Sequence, residues 1–104
     1  MKIIRVQYMV KEDYSEQNQK NIKQVMFDLQ NLNHSGLNYN VCLSADGKTF
    51  THTAFFKTEA DNKILLELPS FIYFQEQLKL KGLEIPPKQE FLTLVGSSGP
   101  IFIS

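Results

Sequence analysis

The feature that most constrains this chain is the pair of alternating segments on either side of Asp46-Gly47. Leu37, Tyr39, Val41, Leu43 and Ala45 alternate with Asn38, Asn40, Cys42 and Ser44. Beyond the Asp-Gly pair, Phe50, His52, Ala54 and Phe56 alternate with Thr49, Thr51, Thr53 and Phe55. A period of two belongs to strands, because successive side chains leave opposite faces. Asp-Gly favours a type I′ turn, since both residues tolerate positive φ. A two-residue loop pairs Leu43 with Phe50, Val41 with His52, Tyr39 with Ala54 and Leu37 with Phe56. One face then takes nearly all the apolar side chains, with His52 among them. A slip of one residue would scatter them over both faces, so burial itself specifies the register.

Residues 2–10 alternate in the same way. Ile4, Val6, Tyr8 and Val10 share one side, and Ile3, Arg5, Gln7 and Met9 the other. Lys2 ahead of apolar residues has the look of a secretion signal. Arg5 and Gln7 break that run and no small-residue cleavage site follows, so the segment reads as a first strand. Asp13 and Glu16 stand at capping-box spacing, which predicts a helix from Tyr14 onward with Asp13 as its cap. Ile22, Val25, Met26, Leu29 and Leu32 recur at helical spacing up to the breaker Asn33-His34-Ser35-Gly36.

Asp61 is a candidate cap for a short helical turn carrying Ile64, Leu65 and Leu68. Pro69 interrupts it. Ser70 is a candidate cap for a second piece, with Phe71, Phe74 and Leu78 on one side and Gly82 at its end. Ile85-Pro86-Pro87 reads as extended. Residues 89–96 read as the last strand, residues 97–100 bend the chain, and Ile101-Phe102-Ile103 forms a short apolar tail.

The order is βαββαβ within 104 residues, read as one domain over 1–104. Short connections and right-handed crossovers then give an α+β, ferredoxin-like arrangement: a four-stranded antiparallel sheet with two helices on one face.

Composition narrows the function classes. Hydrophobic residues make up 42%, enough for a real core. Eleven Lys+Arg balance eleven Asp+Glu, so the basic excess that a nucleic-acid or anionic-membrane binder needs is missing. No apolar run is long enough to span a bilayer. Cys42 is the only cysteine, which forbids an intrachain disulfide and fits a cytoplasmic protein. Two histidines and one cysteine, far apart, give no metal-ligand spacing, and no cofactor is expected.

The helix-free face carries Ile3, Met9 and Phe55 among Arg5, Gln7, Cys42 and threonines. A homodimer stacked through this face would cover them. Arg5, the only arginine, is expected to pair with an acidic residue of the partner chain.

The strand MKIIRVQYMV, the hairpin around ADGKTFTH, the segment KILLELPSFIYFQEQL and the strand EFLTLVGSS together resemble the dimeric α/β barrel superfamily. That group includes the antibiotic-biosynthesis-monooxygenase-like and stress-responsive barrel proteins. The resemblance rests on element order and apolar pattern. It implies two sheets packed face to face, with ligand pockets between each sheet and its own helices. Haem-degrading members use an amide on the first strand and a Trp and a His on the second helix. Here Gln7 is the only match, on the wrong strand face, and Trp is absent. Cofactor-independent, quinone-forming oxygenation asks less of the protein and is not set aside on the same ground.

His52 is the candidate catalytic residue, as a base or hydrogen-bond donor on the helix-facing side. Tyr8, Tyr39, Tyr73 and Phe74 are the candidate ligand-binding residues, with Phe71 beside them, suited to a small aromatic ligand. The alternative for all of them is plain core packing, with His52 bonded to a neighbouring hydroxyl. Cys42 has no base in view and reads as a small buried residue. Two functions follow. One is a non-catalytic, dimeric small-molecule-binding or assembly module, which predicts a filled core around His52. The other is a cofactor-independent monooxygenase-like enzyme acting on an aromatic or polyketide-like substrate, which requires an open sheet–helix cavity.

Overall fold

The computed structural model describes residues 1–102. Its elements are β1 (Lys2–Val10), α1 (Ser15–Leu32), β2 (Leu37–Leu43), β3 (Thr49–Phe56), α2 (Glu59–Leu66), α3 (Pro69–Gln77) and β4 (Leu83–Leu92). A 3-10 turn at Glu12–Tyr14 precedes α1, and a π-helical turn at Leu78–Gly82 follows α3. The strands form one antiparallel sheet in the order β2-β3-β1-β4. This is the expected ferredoxin-like α+β fold, with the second helical arm broken in two.

The hairpin register is the one that the alternation specifies. Leu43 pairs with Phe50, Val41 with His52, Tyr39 with Ala54 and Leu37 with Phe56. Along β3 every second residue is buried, ending on Phe56. The turn differs from expectation. Gly47 has φ +74°, but Asp46 has no positive φ, so the loop is not type I′. Asp46 instead turns its carboxylate inward and accepts from the Lys48 and Thr49 backbone N–H groups and from the Thr49 hydroxyl. Three donors on one carboxylate outweigh the tighter turn.

The caps also differ. Asp13 does not cap α1, which starts at Ser15 without a side-chain cap. Packing decides this end: Tyr14 is buried, and a Cβ on Gly82 would stand 2.3 Å from its ring. Asn33, at φ 51°, closes α1 in the left-handed conformation and relieves Gly36 of that role. Gly36 has another task, since a Cβ there would meet the Asp61 carboxylate at 2.3 Å. Asp61 is not the cap of α2. Thr58 is, and Asp61 sits three residues inside it, accepting from the Thr58 N–H at 2.7 Å and hydroxyl at 2.8 Å. The other Asp61 oxygen accepts from His34 Nε2 at 2.5 Å. Asp61 thus ties the end of α1 to the start of α2. Ser70 does not cap α3 either; Pro69 occupies the first helical position, where its missing N–H costs nothing.

β4 begins at Leu83 rather than at residue 89, and it contains Pro86 and Pro87. It is an edge strand, and its pairing with β1 shifts register between Gln7 and Met9 and again before Val10. Edges and bulges are where a strand tolerates proline. On the helix-free face Arg5 pairs at 2.5 Å with Glu90 of its own chain, on the adjacent strand β4. Gln7 donates to Thr51 at 3.0 Å. The tail folds back over the same face. Asn38 donates to the Ile101 carbonyl at 2.8 Å, and Lys57 Nζ lies 5.3 Å from the Phe102 ring centre. Ile103 lies outside the described residues. Ile3, expected to be stranded on this face, is only 4% exposed.

The core lies between the other sheet face and the helices. Val10, Val25, Phe50 and Phe56 are the best-buried apolar side chains, each contributing about 1.5–3 kcal/mol. Among the described residues no helix is long and apolar enough to cross a membrane.

The Asp61 carboxyl is held below the usual carboxylate range, first by the His34 hydrogen bond and then by Thr58. A depressed folded value means that its stabilisation is present above the unfolded-chain value and lost as pH falls through the folded one. In urea unfolding, Asp61→Asn should lower stability at about pH 7 and flatten the loss towards about pH 3. An unchanged slope on the acid side would remove this role.

Candidate functional site

Strand alternation sends Tyr39 of β2, His52 of β3 and Tyr8 of β1 to the helix-covered side. On the opposite wall, Phe71, Phe74 and Leu78 fall on one side of the α3 arm and Leu65 on that of α2. Between these walls lies a cavity of about 310 Å³. Its lining is mostly apolar, and it opens past Leu66, Lys79, Pro87 and Gln89. A cavity of this size stands at the small end of ligand pockets.

His52 is 5% exposed and fully engaged. Its Nε2 lies 2.7 Å from Tyr8 Oη, and its Nδ1 lies 2.5 Å from Tyr39 Oη. The ring stacks on Phe74 with 5.4 Å between centres. Asn18 of α1 is completely buried and donates its amide N–H to Tyr8 Oη at 2.9 Å. A string of four side chains, Asn18–Tyr8–His52–Tyr39, therefore runs from α1 to the cavity.

Burial pushes the His52 pKa down to about 4. The same desolvation raises Tyr8 and Tyr39 above the usual tyrosine range. All three stay neutral near neutrality, because a bare charge in this space would cost several kcal/mol.

Both ring contacts can run either way, according to the imidazole tautomer. In the Nδ1–H tautomer, Tyr8 accepts from Asn18 and donates to His52 Nε2, and His52 donates from Nδ1 to Tyr39 Oη. The Tyr39 proton is left over, and Tyr39 lines the cavity. The arrangement presents one oriented, neutral donor to whatever occupies the space. It is poorly suited to abstracting a proton: both imidazole nitrogens are occupied, and a pKa of about 4 makes a weak base.

The structure brings His52, Tyr8, Tyr39 and Phe74 to this cavity, the first three by strand alternation and Phe74 from α3. Tyr73 is not among them. One residue away from Phe74 turns it to the outer side of α3, where it is 54% exposed. Gln7, bonded to Thr51, faces away from the cavity, and the Trp and second-helix His of haem degradation have no counterpart. Cys42 is exposed rather than buried. Among the described residues no three His, Cys, Asp or Glu side chains converge as a metal site. Asn18 escaped notice in the sequence, yet it had a signal. It stands four residues before Ile22 and seven before Val25, a polar side chain on the apolar stripe of α1.

No protein-family model and no curated protein matches this sequence. Solved structures do. Rv0793 from Mycobacterium tuberculosis superposes with a TM-score of 0.75 at 13% identity, covering 94% of this chain and 98% of its own. SnoaB, a cofactor-independent oxygenase from Streptomyces nogalater, seen as a single-substitution mutant, gives 0.69 at 9%, covering 95% and 97%. A monooxygenase from the gene ActVA-Orf6 of Streptomyces coelicolor, in complex with the ligand Nanaomycin D, gives 0.63 at 22%, covering 95% and 91%. At these identities the likeness is one of fold: the ferredoxin-like fold of the antibiotic-biosynthesis-monooxygenase-like proteins.

The state of His52 can be read directly. Between the unfolded value of 6.5 and the folded value of about 4, the unfolded chain binds the extra proton. Stability should therefore fall as pH drops through that window, by on the order of 3 kcal/mol. Nitrogen-15 NMR should find the imidazole neutral near pH 6, with its proton on Nδ1. A ring titrating near the ordinary histidine value would mean that the site is wet and the string broken.

Proposed function

We propose that the chain binds a small planar aromatic molecule in the sheet–helix cavity, with a ring-borne oxygen accepting from the Tyr39 hydroxyl. The observation that carries this reading is the cavity itself, about 310 Å³ with aromatic walls and one oriented donor. A plain core would have filled that volume, since interiors pack tightly. His52 acts through Tyr39, fixing the direction of its hydroxyl, and Tyr8 holds His52 in turn.

A second reading is favoured by the same donor. A hydroxyl aimed at a ring oxygen stabilises negative charge developing there. That is the demand of cofactor-independent oxygenation, the activity of the oxygenase SnoaB. Loss of the substrate hydroxyl proton to solvent leaves an electron-rich anion. Dioxygen takes electrons from it and bonds to the ring carbon opposite. The hydroperoxide loses water, so the carbon is oxidised to a carbonyl and dioxygen is reduced, one atom to that carbonyl and one to water.

One probe separates the readings. 1-Naphthol has the hydroxyl and a free position opposite it, and oxygenation with loss of water yields 1,4-naphthoquinone. Calorimetry should detect binding that weakens about tenfold in Tyr39→Phe, the worth of one hydrogen bond. Quinone formation that His52→Gln suppresses supports the enzyme. Binding without oxygen uptake leaves the binding module alone, and absence of binding removes both.

A homodimer through the helix-free face belongs to the same reading. Met9 and its strand partner Ile85, which is 51% exposed, remain on that face despite the tail. Exposed, unpaired Cys42 suits a reducing cytoplasm. Light scattering should give twice the mass of 12.0 kDa for the wild type and a monomer for Phe55→Asp. A monomeric wild type would end the dimer proposal.

A further inference from the structure

The cavity mouth has a charge that the binding reading leaves unused. Lys79 is the only ionised side chain in the lining. The ion pairs among the described residues are Lys2 with Glu59, Arg5 with Glu90, His34 with Asp61 and Lys48 with Glu84. Among the described residues Lys79 takes part in no ion pair. It sits beside buried Leu78 in the π-helical turn. Such a turn winds more loosely than an α-helix, so Leu78 and Lys79 diverge less and both reach the same cavity. Turns of this kind are uncommon and often accompany functional sites. Gly82, pressed against Tyr14, fixes where the turn ends.

The two polar features stand at opposite ends of the space. Tyr39 is on β2, at one edge of the sheet. Lys79 shares the mouth with Pro87 and Gln89 of β4, at the other edge. Three strand spacings separate those edges, about 14 Å. Between them the walls are mostly aliphatic and aromatic, with Asn62 and Gln75 among them.

From this placement the geometry points to an anionic ligand: a flat aromatic acid whose ring oxygen meets Tyr39 and whose remote carboxylate meets Lys79 at the mouth. The inference rests on the cavity reading above and narrows it to a substrate class. Lys79 is a specificity-determining residue. A neutral aromatic of the same shape fits the walls but leaves the ammonium without a counter-charge. Because the lysine is exposed to water on one side, screening keeps the preference moderate. Its worth is about three- to tenfold in affinity.

The test compares 6-hydroxy-2-naphthoate with its methyl ester by calorimetry. The two share a ring system and hydroxyl, and differ in the charge at the far end. Wild-type protein should bind the acid about three- to tenfold more tightly than the ester, and added salt should shrink the gap. Lys79→Gln should equalise acid and ester by weakening the acid alone. Lys79→Arg should restore the preference. An ester that binds as tightly as the acid, or a preference that survives Lys79→Gln, overturns the role of Lys79 and leaves the cavity reading standing. If neither compound binds, the cavity reading fails and this inference fails with it.

Discussion

The burial of one neutral histidine governs the rest of this structure. His52 sits on the central part of the sheet, away from water, with each ring nitrogen facing a tyrosine hydroxyl. A buried imidazole without partners would cost a few kcal/mol, and a charged one more. The two tyrosines answer that cost, and Asn18 answers for Tyr8. Four side chains from β1, β2, β3 and α1 are thereby locked to each other. The side chains that satisfy His52 also keep a polar wall where apolar packing would otherwise close, and the cavity lies against that wall.

The helical arm completes the enclosure by being irregular. Pro69 breaks it between α2 and α3, and the π-helical turn at Leu78–Gly82 ends it. Asp61 anchors its start through Thr58 and His34, and Tyr14 wedges against Gly82 at its finish. The arm is held at both ends and bowed between them. A single straight helix would present one stripe to the sheet and bury it. The bowed arm spans the sheet from Phe71, edge-on to Tyr39, to Lys79 beside β4.

Much of this was legible in the chain. The 37–56 hairpin register followed from alternation alone, because one face is buried and a slip would be penalised at every residue. That register puts Tyr39 and His52 on the helix side, and the alternation of residues 2–10 does the same for Tyr8. Local chemistry is less legible. Asp46 and Asp61 turn to the donors that converge on them, from Lys48 and Thr49 and from Thr58 and His34, and Pro69 takes the helix start for which Ser70 is a candidate. The prolines of β4 hide its first half, because their edge position depends on a sheet order that no local pattern carries. Tyr73 shares a sequence neighbourhood with Phe71 and Phe74, but a single helical step turns it outward. The cavity itself was not legible, because empty volume depends on how the arm bows, and no short pattern encodes that.

The central claim is that this space receives a ligand on the Tyr39 hydroxyl that His52 orients. A crystal structure of the protein soaked with 1-naphthol tests it most directly. The account predicts the naphthol ring between the sheet and α3, with its oxygen about 2.7–3.0 Å from Tyr39 Oη and the His52 contacts intact. A cavity closed by side-chain packing, or a naphthol bound elsewhere with Tyr39 untouched, would contradict it.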